Sequence, residues 1–321
     1  MKILANDGIS TSGETLLIEA GHEILNHRVS QEHLVQFINE NQVEILLVKN
    51  ATSIDHQVID SCKSLKIIGK AGTEMNNVAV DYAIEKGLYV ISTPNSYARA
   101  TAELVFAHFF SLARFLHDSN RMMPLEGDSK FNLLKKSYQN AAELFGKTLG
   151  VIGSGSNTLE VIKMGISLGM NVIIFNENSK SEKVNLDFFD GQKLVFELKS
   201  VKFEEILEKS DFISILNTEK SGYLIDSEEF EIMKNGAYLV NIAKGAVNEV
   251  TLVDYLENKK LAGAALDVFE YEPKPDIQVL MNPSLSLSPN LASVTTDAIE
   301  KTGKELAEQI IKISREYYAH I

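Results

Sequence analysis

The stretch Leu149-Gly150-Val151-Ile152-Gly153-Ser154-Gly155-Ser156-Asn157-Thr158 carries an apolar strand into a glycine turn and out into a helix. A chain that reverses so sharply needs one glycine for the turn and a second that lets backbone approach a pyrophosphate. A third lets the helix pack closely on the strand. Gly153 and Gly155 meet the first two needs, and Thr158 puts a branched side chain at the third. Gly146-Lys147-Thr148 leads into the strand, residues 159–168 read as a helix, and residues 169–175 as a second strand, so the unit is strand, turn, helix, strand. This is the pattern of a dinucleotide-binding turn, with Ser156 and Asn157 opening the helix. An acidic side chain ending the second strand holds the ribose hydroxyls in such units; that place falls here to Asn176, with Glu177 one residue later.

Before this unit, strand-like runs at 3–5, 45–48, 65–69 and 88–91 alternate with helical ones, beginning at 12–20, which implies a parallel sheet with crossover helices. Residues 100–116 form one long helix, and the polar stretch 119–142, with Pro124 and Gly127, reads as an arm. Further strands follow at 211–215, 237–241 and 262–268, and a helix at 296–318 returns most economically to the first domain. The expected fold is α/β, with two doubly wound parallel-sheet domains. A flavodoxin-like substrate domain takes 1–98 and 288–321, and a Rossmann-type nucleotide domain takes 99–287.

A chain of 321 residues is long enough for two such cores. Its net charge of -13, with no dense lysine-arginine cluster, argues against nucleic acid and anionic membrane as partners. The single cysteine, Cys62, excludes an internal disulfide and a multi-cysteine metal site, reads as a packing thiol, and fits a reducing, cytoplasmic compartment. The opening apolar run is too short for a secretory signal, and no run reaches membrane-spanning length.

Several segments together resemble the D-2-hydroxyacid dehydrogenase family, most closely its phosphoglycerate dehydrogenase branch. They are Leu65-Lys66-Ile67-Ile68-Gly69-Lys70-Ala71-Gly72, Thr93-Pro94 with Ala102-Glu103-Leu104, residues 146–155, Ser210-Asp211-Phe212, Met233-Lys234-Asn235-Gly236-Ala237-Tyr238 and Leu261-Ala262-Gly263-Ala264-Ala265-Leu266-Asp267-Val268-Phe269-Glu270-Tyr271-Glu272-Pro273. The resemblance implies NAD as cofactor and a small 2-hydroxy or 2-oxo acid as substrate, with 3-phosphoglycerate the nearest. It also implies a homodimer through the long helix and the arm, or association with a paralogue. Because the chain stops soon after its closing helix, the extra regulatory domain of some relatives is expected to be absent.

The family's chemistry needs a cation for the substrate carboxylate and carbonyl, an acid to protonate the new alkoxide, and a carboxylate to hold that acid. The resemblance assigns these to an arginine in Ala-Arg-Gly, a histidine in Pro-His and a glutamate before proline. This chain reads Ala243-Lys244-Gly245, Pro289-Asn290 and Glu272-Pro273, so two of the three catalytic positions are changed. Lys244 keeps the charge without the planar fork. Asn290 donates a hydrogen bond but gives up no proton near neutral pH, which removes general acid catalysis worth about 10²–10⁴-fold. Glu272 then has no imidazole to orient, and a salt bridge to Lys244 is its expected use. The substrate loop reads Gly72-Thr73-Glu74-Met75, where Glu74 brings negative charge toward an anion, while Arg99 matches an arginine of the phosphoglycerate dehydrogenases. Ala243 and Asp267 fall on the cofactor side, Asp267 facing the nicotinamide amide, and Leu216-Asn217-Thr218 replaces a His-x-Pro that lines the adenosine.

Each of these residues also has a plainer use. Lys244 reads equally as a solvated turn lysine, Asn290 as the cap of the following helix, and Ser154, Ser156 and Thr158 as helix-start hydroxyls. His108, within the long helix, reads as a packed or interface histidine. Two functions follow from the residues and the resemblance: an NAD-dependent D-2-hydroxyacid dehydrogenase with weak or lost activity, or a catalytically silent homologue that binds a metabolite or a partner.

Overall fold

The computed structural model describes residues 1–72, 75–218 and 220–319, and divides into two compact units, Met1–Tyr97 with Val294–Ile321 and Ala98–Ser293. The first unit opens with β1 (Lys2–Ala5), α1 (Thr11–Glu19), β2 (Glu23–Leu25), α2 (Gln31–Asn41) and β3 (Ile45–Val48). It continues with α3 (His56–Ser61), β4 (Ile67–Lys70), α4 (Val80–Glu85) and β5 (Tyr89–Ser92). These strands form a parallel sheet in the order β2-β1-β3-β4-β5. Strands β3 and β4 are buried at every position, as befits a parallel sheet covered on both faces. Leu34, Ile38 and Ile68 belong to one of its apolar layers, and Ile3, Ile45 and Ile67 to the other.

The second unit begins with α5 (Ala98–Ala113), α6 (Leu116–Glu126), α7 (Phe131–Ser137), β6 (Thr148–Ile152), α8 (Ser156–Ser167) and β7 (Asn171–Phe175). The long helix expected at 100–116 stops at Ala113, because Phe115 takes a left-handed backbone, φ 53°, before α6 starts. The arm is thus two short helices, and α6 buries none of its residues. Next come β8 (Ser181–Asp187), β9 (Lys193–Lys199), α9 (Phe203–Lys209), β10 (Phe212–Ile215), α10 (Ser227–Ile232), β11 (Ala237–Asn241), α11 (Glu249–Glu257), β12 (Leu261–Leu266), α12 (Ile277–Met281) and β13 (Leu285–Leu287). The sheet is parallel in the order β13-β12-β11-β10-β6-β7.

Strands β8 and β9 form an antiparallel hairpin where the sequence reading passes directly from the strand at 169–175 to that at 211–215. Val184 and Leu186 are buried, and Val184 and Phe196 lie with the apolar layer that α5 and α8 share. The hairpin turns at residues 188–192, where Gly191 has φ 85° and Phe188 and Gln192 close the ladder.

The chain ends with α13 (Thr296–Ala319), which packs along α1 in the first unit. The boundary between units falls after Ser293 and not after residue 287. The physical reason is Asp267: its carboxylate accepts hydrogen bonds from Ser288 Oγ, Leu291 N–H and Ala292 N–H, which ties the turn after β13 to the end of β12.

Candidate functional site

Because every strand of the second sheet runs the same way, the loops that follow β6, β11, β12 and β13 emerge at one edge, where open α/β sheets place their ligands. Those loops carry Gly153–Gly155, Ala243–Gly245, Asp267–Glu272 and Pro289–Asn290.

In the first loop Gly153 has φ 135° and Gly155 φ 85°, conformations that side-chain-bearing residues rarely adopt. Gly155 caps α8 with no side-chain bond, and no acidic residue stands in the helix's first turn. The residue that caps α8 is thus Gly155, and neither Ser154 nor Thr158 serves as its capping hydroxyl. Thr158 is buried, and its Oγ1 would stand 3.2 Å from a Cβ on Gly153, so the bare glycine makes room for the branched residue. Thr158 Oγ1 and Asn157 Oδ1 are buried without a hydrogen-bond partner among the described residues. A glycine-capped helix start with no acidic residue in its first turn fits the pyrophosphate of a dinucleotide, and the Thr158 hydroxyl has a proton to donate there, whereas Asn157 Oδ1 is an acceptor and does not serve an anion. Asn217, which the sequence marks only as a departure, bridges the turn: its Oδ1 accepts from Ser154 N–H at 2.9 Å and its Nδ2 donates to Ser154 O at 2.7 Å.

Asn176 ends β7 as expected, but its amide is turned inward. It is 8% exposed, its Oδ1 accepts from Asn178 N–H at 2.9 Å, and its Nδ2 donates to Glu182 at 2.7 Å. Asp267 is likewise spent, fully buried on the 288–292 turn, so neither of its oxygens is exposed for a ligand. Ala243 is buried and held by its N–H to Asn241 Oδ1, which fixes the turn that presents Lys244.

Lys244 Nζ lies 3.4 Å from Glu272 Oε2, and the other Glu272 oxygen accepts from Phe269 N–H at 3.0 Å. The lysine side chain is 58% exposed, so the pair is open to solvent and contributes little to stability. Asn290 sits in a left-handed conformation, φ 55°, with its N–H donating to Asp267 O at 2.7 Å. Its side chain is exposed and caps nothing, since the N-terminal turn of α13 takes its hydroxyl from Thr295, whose Oγ1 accepts from Ala298 N–H.

Beneath this turn lies a relay that sequence reasoning missed. His108 is buried, with Nδ1 2.9 Å from Ser286 Oγ and Nε2 2.9 Å from Ser288 Oγ. Ser288 gives its proton to Asp267, so it accepts from Nε2–H, and Nδ1 accepts from Ser286. Burial lowers the histidine's pKa, opposed by the Asp267 charge. Of the two uses expected for His108, packed or at an interface, the structure shows the packed one: both ring nitrogens are used inside the unit. Two serines alternating along 285–288 were the available signal, invisible until β13 is paired with β12.

Of the residues assigned to substrate, Thr73 and Glu74 lie outside the described residues, and Met75 is half-buried in the first unit. Arg99, in the second unit, pairs with Glu103 at 2.9 Å and Glu160 at 3.8 Å. No group of three histidine, cysteine or acidic side chains able to hold a metal occurs among the described residues. No described helix is long and apolar enough to cross a membrane.

The fold and this edge define a two-unit α/β protein whose larger unit is built for a dinucleotide. The family model "D-isomer specific 2-hydroxyacid dehydrogenase, NAD binding domain" matches residues 106–292, and the chain belongs to that family, with NAD as the cofactor of the matched domain. The chain is 31% identical to D-3-phosphoglycerate dehydrogenase of Bacillus subtilis over 98% of its own length and 57% of that protein's. It is 30% identical to hydroxypyruvate reductase of Thermotoga maritima over 97% of both chains. Among solved structures it is similar to the TT0316 protein of Thermus thermophilus, with TM-score 0.80 and 24% identity over 98% of this chain and 97% of that one. The chain thus spans little more than half the length of the phosphoglycerate dehydrogenases it matches.

Proposed function

We propose that this chain binds NAD and a small 2-hydroxy or 2-oxo acid and carries out the dehydrogenase reaction weakly or not at all. Reduction of a 2-oxo acid needs a proton for the alkoxide oxygen as hydride arrives at carbon, and the nicotinamide supplies only the hydride. The observation that carries the reading is Asn290, held beside Asp267 where the family's pattern places an acid. Its amide can hold a substrate oxygen but has no proton to give at neutral pH. Lys244 attracts the substrate carboxylate as a point charge, part of which Glu272 neutralises. For a phosphorylated substrate such as 3-phosphoglycerate, Arg99 would first have to leave Glu103 and Glu160.

A second reading, a silent homologue that acts by binding a partner, is favoured by the arm, where Leu125 is 73% and Phe131 57% exposed. The two readings separate on a titration with NADH, followed by nicotinamide fluorescence, and on the Lys244→Arg, Asn290→His double variant assayed with 2-oxo acids. The dehydrogenase reading expects micromolar NADH binding and a gain of about 10²–10⁴-fold in hydride transfer. Binding without any gain places the defect also in the substrate loop. No binding at millimolar NADH removes the dehydrogenase reading and leaves the partner-binding one.

A further inference from the structure

An acceptor is missing where the ribose of a dinucleotide meets this fold. The carboxylate that would end β7 is an amide, Asn176, and the oxygen of that amide is consumed by Asn178 N–H. Its nitrogen reaches 2.7 Å to a carboxylate that arrives from elsewhere in the chain, Glu182 on β8 of the hairpin. The base of that hairpin is tied to the same strand end: Asn176 N–H donates to Ser200 Oγ at 3.0 Å, Ser200 N–H to Lys180 O at 2.9 Å, and Ile174 bridges Ser200. Glu182 therefore has little freedom to leave. It forms no ion pair among the described residues, only one of its oxygens is engaged, and it is half-buried, one hydrogen bond behind Asn176, which lines a crevice together with Gly153, Phe175, Glu177 and Asn217.

We infer that Glu182 supplies the carboxylate that meets the ribose hydroxyls, with Asn176 as its tether, and that it makes this chain select NAD over its 2′-phosphorylated form. The inference rests on the NAD-binding reading. A carboxylate accepts hydrogen bonds from two vicinal hydroxyls and repels a phosphate in the same place. Glu177, exposed at the same strand end, adds a second negative charge, and the exposed Lys180 is the one nearby cation in the 176–182 segment.

Affinities for NADH and NADPH, read from nicotinamide fluorescence, test it on the wild-type chain and on Glu182→Gln, Glu197→Gln and Asn176→Ala. Glu197 lies on the same hairpin away from Asn176, so its variant controls for hairpin disturbance. The wild type should prefer NADH at least about tenfold, and Glu182→Gln should bring the two nucleotides within about threefold by weakening NADH and strengthening NADPH. Glu197→Gln should leave the ratio unchanged, and Asn176→Ala should lower it by releasing the tether. Thermal unfolding of each variant establishes that it is folded, and Asn176→Ala stands in if Glu182→Gln is not. A wild-type preference that survives both Glu182→Gln and Asn176→Ala overturns the inference and leaves NAD binding intact. A preference for NADPH that Lys180→Ala abolishes overturns it in favour of the opposite selectivity. Binding of neither nucleotide overturns the NAD reading itself.

Discussion

At the scale of single residues, the candidate catalytic positions are legible from the sequence because catalysis depends on functional groups that a sequence spells out. Lys244, Glu272 and Asn290 are named by their motifs, and the Lys244–Glu272 pair forms. What stays hidden is which groups the fold consumes: Asp267 and Asn176 look available until their hydrogen bonds are seen. Glu249 is another such group. It opens α11, is 5% exposed, and accepts from Glu270 N–H while its own N–H donates to the Glu270 carboxylate. Burial first, and the charges of Glu270, Asp276 and Glu272 after it, push its carboxyl up to about 7 from an unfolded value of 4.5, against the opposing backbone hydrogen bond. The folded state then holds a proton that the unfolded state has lost, so stability falls as pH rises between those values. The loss approaches about 3 kcal/mol. Glu249→Gln, which keeps the acceptor and cannot ionise, should flatten the urea midpoint between pH 4.5 and 7, and a midpoint with an unchanged pH slope would contradict this account.

At the scale of elements, the long buried strands and the glycine turn announce themselves, because parallel strands covered on both faces read as continuous apolar runs. The hairpin β8–β9 does not, since most of its side chains are exposed and its alternation is interrupted by the exposed Phe188 and Phe189; only Asp190-Gly191 marks its turn. The short strand β13 is hidden by its central Ser286 and by Ser284 and Ser288 that flank it. Packing between helices is equally invisible from sequence, as α1 and α13 show. They approach so closely that a Cβ on Gly13 would stand 2.5 Å from Gly303 O. In an exposed helix, glycine to alanine stabilises by about 1 kcal/mol. Here the added methyl meets backbone that cannot swing aside, and the sign reverses. Gly13→Ala should cost about 1–3 kcal/mol, seen as a lower urea midpoint with the same slope. A stabilised variant would mean that α13 is free to move off α1.

At the scale of the whole molecule, the arm and the net charge pull in opposite directions. Helix α6 buries nothing, and Leu116, Leu125, Phe131 and Leu133 present apolar side chains that are between 57% and 73% exposed. Clustered exposed apolar side chains of this kind are characteristic of interaction surfaces, and a second copy would offer the same surface in return. Yet each copy carries a charge of -13, so two copies repel at long range and the attraction has to be apolar and local. The balance fixes how salt acts. Screening weakens the repulsion and leaves apolar contact in place, so a dimer held by the arm tightens as ionic strength rises from about 0.01 M to 0.15 M, where the Debye length falls from about 30 Å to 8 Å. A dimer held by ion pairs would loosen over the same range. Light scattering during size-exclusion chromatography should show a dimer that dissociates at lower dilution in low salt, and a Leu125→Asp, Phe131→Asp variant should run as a folded monomer at both. A wild-type chain that is monomeric at tens of micromolar in 0.15 M salt would remove self-association and assign the arm to a different partner.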